Sequence, residues 1–289
     1  MMNKTRPAWL DEKEYPFKDH YFKTAQGDMH YVDEGTGDPI VLLHGNPGWS
    51  FEYREIIKEM SKTHRCIAPD YIGFGLSDKP ADWDYLPIHH SKLVNDLLDS
   101  LNLPNVTLVF NDWGGPFAMA YAIKYPEKIK KLVVTNSWFW PVTHIPNFTR
   151  FSGLAGGPIG KFFAMNFNLI ARELSRAAYG PKKKMPAEVR KHYYAPHEEQ
   201  KGARIGTWVF PGQIIGSTAW LQVLWAQRDR IQHIPTAIVW GDSDIAFKEG
   251  ELKVWTDLMQ NHTLIILSKI GHYPPEEAPE EVIKVLKVQ

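Results

Sequence analysis

The stretch VTLVFNDWGGPFAMAYAIKY, residues 106–125, decides how this chain is read. Val106 to Phe110 is an unbroken run of apolar and β-branched residues, the pattern of a strand covered on both faces. From Pro116 onward the residues are helix formers at helical spacing. Between them stand Asn111, Asp112, Trp113, Gly114 and Gly115. A strand that turns sharply into a helix crowds its backbones together, and glycine tolerates the crowding. The turn therefore presents one reactive side chain, Asp112, at its tip. Asp is also a common helix N-cap, so this segment alone leaves two roles open.

The same strand-then-helix rhythm continues on either side. HYFKT (20–24) and MHYVDEG (29–35) flank a turn at Gln26, Gly27 and Asp28 and read as a hairpin. PIVLLHG (39–45), CIAPD (66–70), KLVVTN (131–136), TAIVWGD (236–242) and TLIILS (263–268) read as further strands. Helical patterns fall at 52–62, 89–101, 116–125, 246–258 and 279–287. The expected class is α/β, a mostly parallel sheet covered by helices on both faces. From 138 to 232 the rhythm breaks into helices punctuated by Gly and Pro and rich in aromatic residues. That is too long for a plain loop. It reads as a helical cap inserted after the sixth strand, over the carboxyl ends of the strands, where such sheets bind ligands. The expected organisation is core 1–137, cap 138–232 and core 233–289.

Composition narrows the function. With 44% hydrophobic and 23% charged residues, the chain is not of disordered type. Lys and Arg number 33, as do Asp and Glu, and this balance argues against a nucleic-acid or membrane partner. The single cysteine, Cys66, excludes an intrachain disulfide and a Cys-based metal cluster. The N-terminal residues lack the apolar core of a signal peptide, and no apolar run reaches the ~18 residues of a membrane helix. A cytoplasmic location, no cofactor and no metal are the expectations. The Asp70–Asp78 segment, DYIGFGLSD, suggests a tight glycine turn and lacks the third glycine of a phosphate-binding loop.

A nucleophile at the tip of a strand–helix turn is the elbow of α/β-hydrolases, usually written G-x-S-x-G. Here Asp112 replaces Ser, and Phe110 occupies a position that is usually small. His44-Gly45-Asn46-Pro47 ends the strand PIVLL, where this fold supplies one oxyanion-hole amide; the residue after the nucleophile supplies the other. Asn46 and Trp113 would be that pair, although Asn-Pro is also a plain turn signal. A base is expected at Gly271-His272, after the last strand. HGNP, DWGG and this late Gly-His together resemble the haloalkane dehalogenase family, over essentially the whole chain.

The resemblance implies an α/β-hydrolase core with a helical cap. It assigns Asp112 as nucleophile, His272 as base, and the side-chain N–H groups of Asn46 and Trp113 as halide donors. A carboxylate displaces halide to give an ester, which water can cleave; a serine would give an ether, which water could not. The implied partners are a small apolar haloalkane, water and the halide product. The family carries its acid at one of two places. At the end of KLVVTN this chain has Asn136, which cannot carry charge; after TAIVW the G-x-x-D spacing selects Asp244, with Asp242 as the alternative.

Other readings stay open. An epoxide hydrolase would use two cap tyrosines, for which Tyr179, Tyr193 and Tyr194 are available. Some luciferases share the triad, and a non-catalytic binder is the reading from a different class. His44 is expected to be structural, and His89 and His90 to be capping or surface residues. Lys182–Lys184 reads as a solvated loop, and Glu276, Glu277, Glu280 and Glu281 as acids suited to a helix start rather than a catalytic pair. Trp138, Trp140, Phe148, Phe151, Phe162, Phe163, Phe167, Trp208, Trp220 and Trp225 are expected to be mostly core, with some lining an apolar pocket.

Overall fold

A computed structural model describes residues 4–199 and 201–288. The described residues form one eight-stranded sheet in the order β1-β2-β4-β3-β5-β6-β7-β8. Its strands are β1 (His20–Thr24), β2 (Gly27–Glu34), β3 (Pro39–Leu43), β4 (Arg65–Pro69), β5 (Val106–Asp112), β6 (Ile129–Ser137), β7 (Thr236–Gly241) and β8 (His262–Leu267). β1 and β2 form the hairpin, and β2 runs antiparallel to β4; every other pairing is parallel. The hairpin turn lies one residue earlier than its sequence suggests, because Gly27 already pairs with Thr24.

Side chains alternate across the sheet as the two-residue period requires. Val41, Leu43, Leu108, Phe110, Leu132, Val134 and Ile238 point into one buried layer. Ile40, Leu42, Val109, Val133, Ala237 and Val239 point into the other. Helices cover both layers: α1 (Arg54–Met60), α2 (Pro87–Leu101) and α3 (Gly114–Lys124) come before the long insertion. The edge strands escape double burial: β1 has no buried residue, and β8 is partly exposed. Leu264 and Ile266 are exposed, since β8 is an edge strand.

Between β6 and β7 the described chain has no strand. It holds α4 (Pro146–Ala155), α5 (Pro158–Phe167), α6 (Ser175–Ala178), α7 (Ala187–Tyr194), α8 (Ile205–Gly216) and α9 (Thr218–Ala226). The last helices are α10 (Glu249–Leu258), α11 (Pro274–Glu277) and α12 (Pro279–Lys287). Among the described residues no helix is long and apolar enough to cross a membrane.

The end of β5 is shaped by close approach. A Cβ on Gly114 would lie 2.0 Å from the Leu43 carbonyl oxygen of β3, so only glycine lets α3 start here. Asp112 itself sits at φ +49°, a left-handed conformation that costs a non-glycine residue energy. The crowding that needs Gly114 also forces Asp112 to turn, and the turn aims its carboxylate away from the sheet.

Candidate active site

Four loops at the carboxyl ends of the strands meet here. Asp112 comes from the β5–α3 turn, Asn46 from the loop after β3, Asp244 from the loop after β7 and His272 from the loop after β8. The Asn46 backbone N–H donates to Asp112 Oδ1 at 2.9 Å. His272 Nε2 stands 3.6 Å from Asp112 Oδ2, and His272 Nδ1–H donates to Asp244 Oδ2 at 2.9 Å. A carboxylate, an imidazole and a second carboxylate are thus in series. Asp242 is not part of it: its Oδ1 accepts from the Lys269 N–H and the Ser243 hydroxyl and closes a turn.

Burial works against the charged imidazole of His272, but the Asp244 and Asp112 carboxylates outweigh it and hold its pKa well above the usual histidine value. Both carboxylates thus favour a proton on His272. Any step that neutralises Asp112 removes one of the two charges that retain that proton.

Three side chains that the sequence reading did not assign hold this arrangement. Asn136, at the end of β6 with φ +27°, donates from Nδ2 to Asp244 Oδ2 and to the Gly241 carbonyl, and its Oδ1 accepts from the Gly241 N–H. The position that cannot carry charge thus clamps the residue that does. Asn111 donates from Nδ2 to the carbonyls of Thr135 and His272, bonding β5 to β6 and to the His272 loop. Glu277, from α11, accepts the N–H groups of Gly271 and Tyr273, one on each side of His272. Glu276 instead makes a buried ion pair with Arg54.

Below the Asn46 loop, Glu52 is buried with neither carboxyl oxygen hydrogen-bonded to protein. A Cβ on Gly48 would lie 2.5 Å from its Oε2. Desolvation pushes the Glu52 pKa well above the ordinary carboxyl value. Asp70, which opens the glycine turn, accepts from the Ser50 and Leu76 N–H groups and faces His30 Nδ1, fixing this loop from below.

His44 is fully buried and stacked on Tyr71, and desolvation lowers its pKa to about 4. His90 departs from expectation. Although His89 is exposed and pairs with Asp84, His90 is 1% exposed among Trp83, Phe117 and Phe210, with neither ring nitrogen bonded. It points from the first turn of α2 into the aromatic layer.

Asn46, Asp112, Trp113 and His272 open onto a cavity of about 190 Å3. Its opposite wall is apolar: Phe148 and Phe151 of α4, Ile170 and Leu174, and Pro211 and Ile214 of α8. Asn46 Nδ2 donates to the Thr207 carbonyl at 3.2 Å, which fixes the rotamer and leaves one amide hydrogen over. Trp113 is held by edge-to-face contacts with Trp138 and Phe210. The expected split of the aromatics is only partly realised. Phe148 and Phe151 line the cavity and Trp138 and Trp140 are core, but Phe162, Phe163 and Phe167 are exposed. Tyr179, Tyr193 and Tyr194 do not line the cavity; its one lining tyrosine is Tyr273. Among the described residues no cluster of three or more His, Cys, Asp or Glu could hold a metal ion.

A profile of the α/β hydrolase fold matches residues 38–279, and the strand order and acidic elbow place the molecule in that class. Haloalkane dehalogenase 2 of Mycobacterium tuberculosis is 34% identical over 274 residues, 94% of each chain. The chain belongs to the haloalkane dehalogenase family within the α/β-hydrolases. A cis-3-alkyl-4-alkyloxetan-2-one decarboxylase of Shewanella oneidensis is 36% identical, over 94% of this chain and 88% of that one. Among solved structures, the haloalkane dehalogenase DatA of Agrobacterium tumefaciens C58 superimposes with a TM-score of 0.83 at 24% identity, covering 93% of this chain and 94% of that one.

Proposed function

We propose that this protein hydrolyses haloalkanes, with Asp112 as nucleophile, His272 as base, Asp244 as acid, and Asn46 and Trp113 as halide donors. In the first step an Asp112 carboxylate oxygen bonds to the sp3 carbon, and the carbon–halogen pair leaves on the halide. The remaining Asn46 amide hydrogen and the Trp113 indole N–H stabilise that anion in an apolar, water-poor cavity, where each donor counts for more than in water. The Asp112 charge disappears into the ester. His272 then loses one of its two anionic neighbours, passes the proton they favoured to solvent, and with Nε2 free becomes a better base. Its Nε2 takes a proton from water as the water oxygen attacks the Asp112 carboxyl carbon. The backbone N–H groups of Asn46 and Trp113 receive the resulting oxyanion. Collapse releases the alcohol, and the sum is haloalkane plus water giving alcohol, halide and a proton.

The observation that carries this reading is the Asp112 carboxylate with Oδ1 on the Asn46 amide and Oδ2 facing His272 Nε2, at the floor of an apolar cavity. In this reading residues 138–232 act as a cap domain that dries and shapes the cavity, with 1–137 and 233–289 forming the core. Bromide release from 1-bromobutane and 1,2-dibromoethane tests it; a brominated panel that yields no bromide rejects it.

A second reading is supported by the decarboxylase of Shewanella oneidensis, which matches over nearly the same span. Opening of an oxetan-2-one at its sp3 carbon by Asp112 would expel a carboxylate in place of a halide. Loss of CO2 would then form the alkene and return Asp112 as a carboxylate, with no water consumed. Carbon dioxide and alkene from a dialkyl oxetan-2-one, with no bromide from bromoalkanes, would select this reading over the first.

A further inference from the structure

α5 is packed inside out. Of its ten residues only Ala164 is buried, while Ile159 and Phe162 are 61% and 57% exposed and Phe163 and Phe167 also face outward. The neighbouring helix α4 adds Leu154, 62% exposed, and Phe151, which is part exposed and part of the cavity wall. Phe162, Phe163 and Phe167 touch one another at ring separations of 5.4–5.9 Å, so they form one patch and not three scattered residues. α4 packs against α5, and its Phe151 is both exposed and part of the cavity wall, which brings the patch next to the cavity. Exposed apolar area of this extent marks a surface that meets something.

Charge says what it meets. The whole chain is neutral, yet no Asp or Glu occurs between Glu127 and Glu173. The patch carries Arg150 and Lys161, both exposed, and no acid. A second copy of this face would set cation against cation with nothing to neutralise them, so self-association is disfavoured. An anionic lipid surface supplies both missing elements: hydrocarbon for the aromatic and aliphatic side chains, and negative headgroups for Arg150 and Lys161. Net charge hides this asymmetry, which is why a zero balance reads as no membrane partner.

We propose that α4 and α5 form a peripheral docking surface for anionic membranes, holding the cavity mouth against the lipid so that apolar molecules dissolved there enter directly. The surface lies on the membrane and does not span it.

Flotation of the full-length protein with phosphatidylglycerol-containing vesicles tests this, with pure phosphatidylcholine vesicles as reference. Two cations at the surface are expected to make binding to the anionic vesicles roughly tenfold or more tighter, and high salt to reduce it. The double variant Phe162→Glu/Phe167→Glu should lose vesicle binding by at least about tenfold, since it removes apolar insertion and adds repulsion. An unchanged circular dichroism spectrum and unchanged turnover of a water-soluble substrate would show that the variant is folded. Wild-type protein that stays unbound with anionic vesicles overturns the proposal. So does a wild-type dimer in light scattering that the double variant converts to monomer, because a second copy then occupies this face.

Discussion

The carboxyl edge of the sheet and the helical wall of α4 and α8 line the same cavity and are built by opposite rules. At the sheet edge the proposed catalytic side chains are tied to backbone or to each other. Asp112 is held by the Asn46 amide, Asp244 by Asn136 and the Ala246 N–H, and the His272 loop by Asn111 and Glu277. Across from it, α4 and α8 offer the cavity mostly apolar surface, and α4 with its neighbour α5 leaves much apolar surface in solvent. Such a division separates two demands. Bond making at Asp112 needs fixed positions, whereas admitting an apolar molecule needs only surface that does not compete for hydrogen bonds.

If the division is real, substitutions at the sheet edge should cost far more turnover than those on the helices. The largest effect is expected for Asp112→Ala, which removes the proposed nucleophile and should abolish bromide release to background. Asp244→Asn comes next. It keeps the shape but removes the charge that stabilises the His272 imidazolium, and should lower kcat by about 10²- to 10⁴-fold. Glu277→Gln loosens the backbone on both sides of His272 without touching substrate. About tenfold lower kcat with little change in KM is expected, since small misplacements of a base are costly. Phe148→Ala, on the helical side, should enlarge the cavity and shift preference toward bulkier substrates, with kcat on the best substrate within a few-fold of the parent.

Two pH effects sharpen the comparison. In the free protein both Asp112 and Asp244 retain the His272 proton; in the ester only Asp244 does. Ester formation uses no base, so a His272 acidic limb should appear in kcat, provided ester hydrolysis limits turnover, and be absent from kcat/KM. Glu52 gives the smallest effect. Its folded-state pKa lies above its unfolded value, so its contribution to stability falls as pH rises above the unfolded carboxyl pKa. Glu52→Gln removes that loss. The melting temperature of the variant should exceed the parent's by more at pH 8 than at pH 5.

These two regions also differ in how far the sequence reveals them. The strand–turn–helix around Asp112, the HGNP loop and the late Gly-His are local patterns whose spacing reports the chemistry directly. Asp244 stands as one of two positions in one loop, and the one that spacing selects is the one that meets His272. Asn111, Asn136 and Glu277 left no such trace. Each acts through hydrogen bonds to chain segments brought near only by the fold, as Asn136 does on Asp244 from another strand. His90 departs from expectation because the start of a helix usually faces water, and only the packing of α2 against Phe117 and Phe210 buries it. Phe162, Phe163 and Phe167 fail in the other direction. Apolar residues on a helix normally mean a core, and nothing local says that no neighbouring helix arrives to cover them.

The covalent step can be observed directly. With His272→Phe the ester should form and not hydrolyse. Incubation with 1-bromobutane is expected to release one bromide per chain and leave a butyl group on the peptide containing Asp112, read by mass spectrometry. An unmodified Asp112 peptide after bromide release, or steady bromide turnover by the Asp112→Ala protein, would contradict the account.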